Sequence, residues 1–499
     1  MAKLSARPML RLLRRLPLCL PAILLHAILL AGCAAAAGPA QLDRQGCGGA
    51  AADEAGLRCY TLTVPLRRGD PRTPSIALPV VVIPGGGSHA DPLVYLRGGP
   101  GYALDLDPDG LRHWRYRMQH EAWMRGRDLV LMEQRGQGGT VTLDCREVDA
   151  LLPGLIGMAE PERGRRYAAA AADCRRRWSA AGYQPGDFDT AAVADDLEDL
   201  RHALGIASWN LYGVSYGTRL ALVSMQRHPG GIRAAILDSA YPPEDHFWET
   251  RHAAIDAAFA SVAAACAARP DCPVAGSLKA ALMQRAAAYD ASPVPVVLDR
   301  GKPSQRRIGF TGALLVERAV ELLDEPDAPA AIAGLVAAGP EALEAAAQAL
   351  ADGAYAADGL IRGRYFATDC RAELPFADPA LVEADGRHYP WLADYGIDQD
   401  DRLACAAWVD GDARLIPKAP IASDIPALVL QGGFDATTPP PVGRLTASRL
   451  SHGRYVVMPG VGHGVVGQSA CARRIAARFL ADPAGALDTA CRDRPAASP

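Results

Sequence analysis

The amino-acid sequence predicts an α/β fold with a mostly parallel, eight-stranded sheet and an inserted helical cap. Short apolar runs recur between glycine and proline residues, and several are apolar throughout, which is typical of strands buried on both faces of a parallel sheet. Runs with helical periodicity alternate with them, for example at residues 192–204 and 218–228, as in a doubly wound fold. The eight predicted strands cover residues 60–64, 80–83, 93–96, 128–132, 209–212, 234–237, 427–430 and 455–458.

The spacing of these strands divides the chain into a core and an insertion. The gap between the sixth and seventh strands is far longer than an ordinary connection, and it contains Ala-rich stretches with helical periodicity. We therefore expect a leader at residues 1–33, the first part of the core at 34–240, a mainly helical cap at 241–422 and the second part of the core at 423–499.

The leader has the pattern of a signal peptide. Five basic residues precede an apolar run at residues 16–31. The run ends in Leu-Ala-Gly-Cys, with the cysteine at Cys33. The run is interrupted by proline and is shorter than the roughly 20 apolar residues of a spanning helix. Its ending resembles the lipobox of bacterial lipoproteins, which would make Cys33 a lipidated first residue on a membrane surface. Ordinary cleavage and secretion is the alternative.

The charge balance bears on the choice of partner. Without residues 1–32 the chain keeps 47 basic and 56 acidic residues, a net charge of −9. Nucleic acid is therefore not an expected partner, because binding to phosphates requires a basic surface.

The cysteines predict disulfide bonds. Beyond the leader and Cys33 there are ten, an even number, and an exported chain uses such a set for disulfides. None has the Cys-x-x-Cys spacing of a zinc knuckle, so no metal is expected. Sequence alone does not determine the connectivity. Neighbouring cysteines close the shortest loops, and this is the pairing we expect: 47–59, 145–174, 266–272, 370–405 and 471–491.

A nucleophile motif follows the fifth predicted strand. Residues 213–217 read Gly-Val-Ser-Tyr-Gly, which matches G-x-S-x-G between a strand and a helical run. The two glycines allow the sharp turn that exposes the hydroxyl of Ser215, and the amide of Tyr216 is expected to donate to an oxyanion. A purely structural turn is the less favoured alternative.

An acid and a base follow at later strand ends. Asp435 lies just after the seventh predicted strand, and His463 lies in a glycine loop just after the eighth. The order serine, aspartate, histidine is that of a catalytic triad on an α/β-hydrolase fold. Asp238, at the end of the sixth strand, is the competing acid.

A glycine-rich loop, Arg-Gly-Gly-Pro-Gly at residues 97–101, follows the third strand. It lacks the Gly-Lys-Ser/Thr of a phosphate-binding loop, and in hydrolases this loop supplies the second oxyanion donor. We assign that donor to the amide of Gly99. A triad with two backbone donors requires no metal or organic cofactor.

These motifs together resemble those of one enzyme group. The loop at 97–101, Glu-Gln-Arg-Gly at 133–136, the serine turn and the loops of Asp435 and His463 are similar to the proline iminopeptidase and tripeptidyl aminopeptidase group of α/β-hydrolases. The resemblance covers about residues 94–481 and implies a serine exopeptidase acting on peptides with a free N-terminus. Arg97 and Glu133 replace the histidine and aspartate usual in the group.

The resemblance also directs attention to acidic residues that would bind the substrate ammonium group. Cys-Arg-Ala-Glu-Leu-Pro-Phe at residues 370–376 resembles a cap segment of the group, with Ala372 in place of a glutamate. Glu373 is one candidate ligand, and Glu244, with its neighbour Asp245, is another. Two other functions stay open: a carboxylesterase or lipase using the same triad, and a catalytically dead binding protein.

Overall fold

The main sheet of the protein has nine strands in the part of the chain that the structure describes. This computed structural model describes residues 40–47, 56–87, 91–158, 160–274, 276–355, 360–393, 395, 399–409 and 418–492, so the predicted leader with Cys33 lies outside it. The strands are β1 (Gln41–Gln45), β2 (Arg58–Pro65), β3 (Ser75–Ile83), β4 (Leu93–Leu96), β5 (Leu129–Met132), β6 (Gln137–Gly138), β7 (Val141–Thr142), β8 (Trp209–Val214), β9 (Ile232–Asp238), β10 (Val294–Leu298), β11 (Arg306–Phe310), β12 (Ala427–Gly432) and β13 (Gly453–Met458).

The sheet is mostly parallel, as predicted. Its order is β1-β2-β3-β5-β4-β8-β9-β12-β13. The three pairings from β1 to β5 are antiparallel, and the five from β5 to β13 are parallel. The parallel strands therefore present their carboxyl ends along one edge, where α/β folds carry their sites.

The prediction of eight strands was wrong by one, because it missed β1. This strand pairs antiparallel with β2, from Gln41 opposite Thr63 to Gln45 opposite Cys59. Its sequence is Gln-Leu-Asp-Arg-Gln and four of its five residues are exposed. A short polar strand at the edge of a sheet buries too little apolar surface to produce a periodic signal.

Helices cover both faces of the sheet and form most of the insertion. The α-helices are α1 (Pro108–His120), α2 (Arg146–Asp149), α3 (Leu152–Leu155), α4 (Glu162–Ala180), α5 (Thr190–Ala203), α6 (Tyr216–Arg227), α7 (Phe247–Ala267), α8 (Leu278–Ala291), α9 (Gly312–Glu321), α10 (Ala328–Val336), α11 (Pro340–Tyr355), α12 (Arg362–Tyr365), α13 (Pro379–His388), α14 (Pro390–Ala393), α15 (Gln399–Ala406), α16 (Pro440–Ser448), α17 (Val465–Gln468) and α18 (Ala470–Ala481). Short 3-10 turns include Leu322–Asp324, and a π-helical turn covers Phe366–Cys370.

Alternate residues of the central strands enter two separate apolar cores. In β5, Val130 and Met132 pack with residues of α5 and α6 on one face. Leu129 and Leu131 pack with residues of α1 and α18 on the other face. This two-sided burial explains why the parallel strands are apolar at successive positions.

The insertion is divided between two cores. Its first part, with α7 to α11, encloses its own apolar cluster around Phe259, Leu282 and Phe310, and it includes the hairpin of β10 and β11. Residues in and after the π-helical turn pack elsewhere: Phe366 and Trp408 belong to the core beneath the main sheet. The second half of the cap therefore also packs into the core beneath the main sheet.

All five predicted disulfides are confirmed. The bonded pairs are Cys47–Cys59, Cys145–Cys174, Cys266–Cys272, Cys370–Cys405 and Cys471–Cys491. Such a set indicates an extracellular or otherwise exported protein, because disulfides persist in oxidising compartments. Separately, none of the helices in the described ranges has both the length and the hydropathy required to cross a bilayer.

Candidate active site

Ser215 occupies a strained turn between β8 and α6. Its φ of 56° and ψ of −124° lie in a region that side chains other than glycine rarely adopt. The Ser215 amide donates to the carbonyl oxygen of Asp238, at 2.9 Å, so the turn is fastened to the end of β9. Strain of this kind persists where the surrounding structure holds it, and it is common at sites of function.

The two glycines of the motif are required by close approach of the backbone. A Cβ atom on Gly213 would lie 2.4 Å from the carbonyl oxygen of Gly217, across the turn. A Cβ atom on Gly217 would lie 1.9 Å from the carbonyl oxygen of Leu96, at the end of β4. The serine turn can therefore close only with glycine at both positions.

Asp435 and His463 form a pair at the same edge of the sheet as Ser215, with the carboxylate buried and the imidazole partly exposed. The Nδ1 atom of His463 lies 3.0 Å and 2.9 Å from the two carboxylate oxygens of Asp435. The two loops are also joined by their backbones, since the amide of Phe434 donates to the carbonyl oxygen of Val461 at 2.9 Å. This contact directs Nδ1 to the carboxylate and leaves Nε2 as the ring nitrogen available for proton transfer.

The surroundings keep Asp435 charged. Its oxygens accept hydrogen bonds from the amide of Thr437 at 3.0 Å and from the amide and hydroxyl of Thr438, both at 2.8 Å. Burial alone would raise the pKa of Asp435, but His463 and these hydrogen bonds hold that pKa below its usual value. A charged acceptor at Nδ1 stabilises the imidazolium that forms when the histidine takes a proton.

Asp238 has another role than the competing acid of a triad. Its carboxylate accepts hydrogen bonds from the amides of Val465 and Val466, at 2.7 Å and 3.0 Å, and from the hydroxyl of Tyr212 at 3.1 Å. It thereby holds the backbone just after His463. Because its carbonyl oxygen also binds the Ser215 amide, Asp238 connects the serine turn with the histidine loop.

The structure places Ser215 and His463 at one edge without a hydrogen bond between their side chains among the described residues. The shared contacts with β9 include a bond of 2.9 Å from the amide of Gly464 to the hydroxyl of Ser239. Catalytic hydrogen bonds are often long before substrate binds and shorten in the complex.

The glycine loop after β4 lies directly against the serine. A Cβ atom on Gly98 would be 2.6 Å from the Cβ of Ser215. Gly99 follows in a left-handed conformation with φ of 59°, and its carbonyl oxygen accepts from the amide of Tyr102 at 3.0 Å. Tyr216 is the first residue of α6, where amides have no partner inside the helix. The amides assigned to the oxyanion site therefore belong to segments adjoining Ser215 on two sides.

Residues of the Glu-Gln-Arg-Gly segment support this loop. Glu133 accepts from the amide of Leu104 at 2.7 Å, and Gln137 donates to the carbonyl oxygen of Tyr102 at 2.9 Å. Burial raises the pKa of Glu133 to about 8. Sequence reasoning identified this segment only by resemblance and did not find its contacts with the oxyanion loop.

The arginine of the Glu-Gln-Arg-Gly segment, Arg135, is part of a buried ion pair. Arg135 binds both carboxylate oxygens of Asp196, each at 2.7 Å, and donates to the carbonyl oxygens of Leu66 and Asp187 at 2.8 Å. Both side chains are almost fully buried. The pair links β5, α5 and the segment after β2, and no substrate role follows from it.

Glu373, a candidate ammonium ligand, is already engaged by two cations. Its oxygens lie 2.5 Å from Arg219 Nη2 and 2.6 Å from Lys418 Nζ, and its side chain is fully buried. Arg219 also lies 3.9 Å over the ring of Tyr241. Because both oxygens are neutralised within the protein, the geometry does not support Glu373 as a ligand for a substrate ammonium group.

Glu244 has the opposite environment. Both of its carboxylate oxygens are buried and have no hydrogen-bond partner within the described residues, and the nearest cation, Arg449, is 3.9 Å away. Glu244 lines a cavity of about 500 Å³ between α7 and α16, whose other walls include four alanines and three prolines. Asp435 also contributes to the wall, so the cavity lies beside the Asp435–His463 pair.

Asp245 lines the same cavity. Its side chain is buried, and burial raises the pKa of this carboxyl to about 6, with nearby Glu373 adding to the effect. Lys418 donates to its backbone carbonyl oxygen. The end of the cavity at Glu244 and Asp245 is therefore acidic, whereas the rest of its walls are mainly apolar.

A second cleft, of about 420 Å³, separates the cap from the loop after β12. The cap wall includes Asp324 and Arg251, and the core wall includes Ala436 and Thr437, next to Asp435. Sequence reasoning did not identify this cleft, because the residues that form it are far apart in the chain.

Several known proteins are similar to this chain. The tripeptidyl aminopeptidase of Streptomyces coelicolor is 28% identical over 41% of this chain and 39% of that protein. Carboxylesterase B of Mycobacterium tuberculosis is 29% identical over 50% of this chain and 48% of that protein. This chain thus spans less than half the length of either relative. The crystal structure of proline iminopeptidase from Mycobacterium smegmatis covers 85% of this chain and 98% of its own, with 18% identity and a TM-score of 0.39.

The sequence pattern of the α/β-hydrolase fold family matches residues 91–469. This range includes the glycine loop after β4, the serine turn and the loops of Asp435 and His463. The chain therefore belongs to the α/β-hydrolase fold family.

Proposed function

We propose that the protein is an exported serine hydrolase that cleaves peptides from a free N-terminus through an acyl-enzyme. The observation that carries this proposal is the Asp435–His463 pair at the sheet edge where the strained turn presents Ser215. The name of the Streptomyces coelicolor relative supports a peptidase. A peptide is accordingly the proposed partner.

The proposed reaction has two halves. His463 takes the hydroxyl proton of Ser215 at Nε2 as the serine oxygen attacks the scissile carbonyl, and the amides of Gly99 and Tyr216 stabilise the oxyanion. The leaving amine receives that proton as the C–N bond breaks. Water, activated by the same histidine, then hydrolyses the ester and restores the serine.

The surroundings of His463 predict the direction of the pH dependence. Burial lowers the pKa of this imidazole, but the carboxylate of Asp435, with Asp324 and Asp238 beyond it, raises the pKa above its usual value. Only the neutral imidazole accepts the serine proton, so activity is lost as the pH falls through the raised pKa. We expect the acid limb of kcat/KM for an uncharged ester to lie above the pH of about 6.5 typical of free histidine. A limb below that pH would contradict this arrangement.

The free N-terminus is proposed to bind at Glu244. A substrate ammonium group there would give both buried oxygens a hydrogen-bond donor, which the described residues do not provide, and the apolar walls would hold small apolar side chains. The bonds of Glu373 to Arg219 and Lys418 support the choice of Glu244 over Glu373 for this role.

Replacing Glu244 with glutamine is expected to raise KM for free-amine peptidyl anilides about tenfold, because a charge-assisted hydrogen bond is lost. Turnover of an uncharged ester should not change. The control is Glu341→Gln, which removes one exposed acidic residue from α11. An equal rise in KM for the ester, or none for the anilide, would locate the ammonium site elsewhere.

A carboxylesterase is the second candidate function, and the mostly apolar cavity favours it together with the name of the Mycobacterium tuberculosis relative. A substrate panel separates the two: alanyl, prolyl and tripeptidyl anilides, their N-acetylated forms and a simple ester. Cleavage of free-amine anilides but not of acetylated ones is the expected result. Ester turnover alone, abolished by Ser215→Ala, would leave a serine esterase.

We further propose that Cys33 carries the lipid that anchors the exported enzyme to a membrane surface, and the five disulfides support export. Cys33→Ser is expected to abolish incorporation of an alkyne fatty acid during growth and to release the enzyme from the membrane fraction. Cys19→Ser, within the leader, is the matched control. Unchanged labelling of the Cys33 variant would contradict lipidation at that residue.

A further inference from the structure

The cap touches the histidine loop through the 3-10 turn Leu322–Asp324. A Cβ atom on Gly462 would lie 2.7 Å from the carbonyl oxygen of Leu323 and 2.9 Å from the Cα of Asp324. Gly462 has an ordinary negative φ, in contrast to Gly460 and Gly464 on either side. Its lack of a side chain is therefore required by the proximity of the cap and not by its own conformation.

A single glutamine joins the two backbones. The Nε2 atom of Gln468, in α17, donates to the carbonyl oxygen of His463 at 2.6 Å and to that of Asp324 at 3.2 Å. Its Oε1 atom accepts from the amide of Gly462 at 3.4 Å. One side chain thus fixes the peptide groups on both sides of the histidine against the cap.

The carboxylate of Asp324 adds a charge to this contact. The Cα of Asp324 lies against Gly462 of the histidine loop, and its carboxyl group interacts electrostatically with His463, Asp435 and Arg251. The charged groups facing His463 are Asp435 from the loop after β12, Asp324 from the cap and Asp238 from the end of β9. Asp324 is the only one of these three that the cap provides, and it is accessible to solvent in the cleft.

The cap also contacts the loop of the triad acid. Arg251, from the first cap helix α7, donates to the carbonyl oxygen of Ala436 at 2.7 Å. The loops that carry the acid and the base are therefore both in contact with the inserted segment as well as with the sheet.

We propose that the cap turn Leu322–Asp324 completes the catalytic site, with Asp324 and Gln468 acting as positioning residues for His463. Gln468 and the close contact at Gly462 fix the position of the histidine loop relative to the cap. The Asp324 carboxylate stabilises the imidazolium formed during proton transfer. This inference rests on the proposed triad. It gives the cap a role in catalysis that is distinct from binding the substrate.

The charge is tested with Asp324→Asn, which keeps the shape of the side chain, and with Glu325→Gln as the matched control at the next residue. The 13C-labelled ring of His463 is titrated by NMR in each protein, with His463→Gln to assign its signal. Asp324→Asn is expected to lower the midpoint by about half a pH unit and to move the acid limb of ester kcat/KM equally, whereas Glu325→Gln changes neither. An unchanged midpoint in Asp324→Asn would overturn the proposed role of this carboxylate.

The contact is tested with Gly462→Ala, and Gly467→Ala is the control because a Cβ atom there meets nothing within 4 Å. Gly462→Ala is expected to lower kcat about a hundredfold with little change in KM, since a displacement near 1 Å at a catalytic group has that effect. Gly467→Ala should behave as the wild type. Equal kcat in the two variants, both folded by circular dichroism, would overturn the inference.

The NMR titration separates this inference from the proposed function, because it requires no turnover. A shift of the His463 midpoint in Asp324→Asn would support the cap contact even if no peptide in the panel were cleaved. Conversely, a wild-type enzyme that cleaves peptides through Ser215, with no response to Asp324→Asn or Gly462→Ala, would retain the proposed function and refute the role of the cap.

Discussion

Replacing Ser215 with alanine is expected to lower kcat about a million-fold, the loss typical of removing a triad nucleophile. The alanine variant lacks the oxygen that forms the acyl-enzyme, while the oxyanion amides and the Asp435–His463 pair stay in place. Binding of substrate should change little, so the effect falls on kcat and not on KM. Stopped-flow and long-time assays on the best anilide or ester of the panel would measure it.

A second serine provides a demanding control. Ser239 directly follows the neighbouring strand β9, is fully buried and also has a positive φ, of 59°. Its hydroxyl accepts a hydrogen bond from the amide of Gly464 and so helps to hold the histidine loop. Ser239→Ala is therefore expected to reduce kcat by about tenfold at most, since it removes one neutral hydrogen bond. Comparable losses in the two variants would argue against Ser215 as the nucleophile.

Replacing Asp435 with asparagine is expected to lower kcat about ten-thousand-fold. The amide group of asparagine would donate to Nδ1 of His463 and place the ring proton on Nε2, where the histidine can no longer accept the serine proton. The amides of Thr437 and Thr438 retain an oxygen acceptor, so the loop should fold as before. Steady-state kinetics together with thermal melting would separate the loss of catalysis from a loss of stability.

Asp238→Asn is the matched variant for the competing acid. Asp238 binds the amides of Val465 and Val466, and an amide in its place would oppose one of these donors. We expect a lower melting temperature and a smaller loss of kcat than in Asp435→Asn. A folded Asp238→Asn enzyme as inactive as Asp435→Asn would instead assign the acid of the triad to Asp238.

The residues of the site that could be predicted from sequence are those that local pattern places at strand ends. Ser215, Asp435 and His463 each follow a strand of the parallel part of the sheet within a few residues, and parallel strands bring their carboxyl ends to one edge. The disulfides could be predicted because each joins neighbouring cysteines. The strand β1 could not, since it is polar and lies at the edge of the sheet, where it pairs with β2.

Interactions between distant segments were invisible to sequence reasoning. Glu373 was a reasonable ammonium ligand by resemblance, but Arg219 and Lys418, which neutralise it, come from α6 and from the end of the insertion. The same holds for the contact of Asp324 with the histidine loop, where residues from the cap and core meet. Such partners become apparent only once the fold has brought them together.

The proposed function requires that Ser215 is the nucleophile and that the substrate has a free N-terminus. A tripeptidyl diphenyl phosphonate, which alkylates no thiol and phosphonylates activated serines, tests both parts when used with a free and with an acetylated N-terminus. We expect the free-amine phosphonate to modify Ser215 rapidly and the acetylated phosphonate to modify it slowly. The modification would be seen as one adduct in the intact mass and mapped to Ser215. Equal rates for the two compounds would contradict the requirement for a free N-terminus, and an adduct at any other residue would contradict the triad.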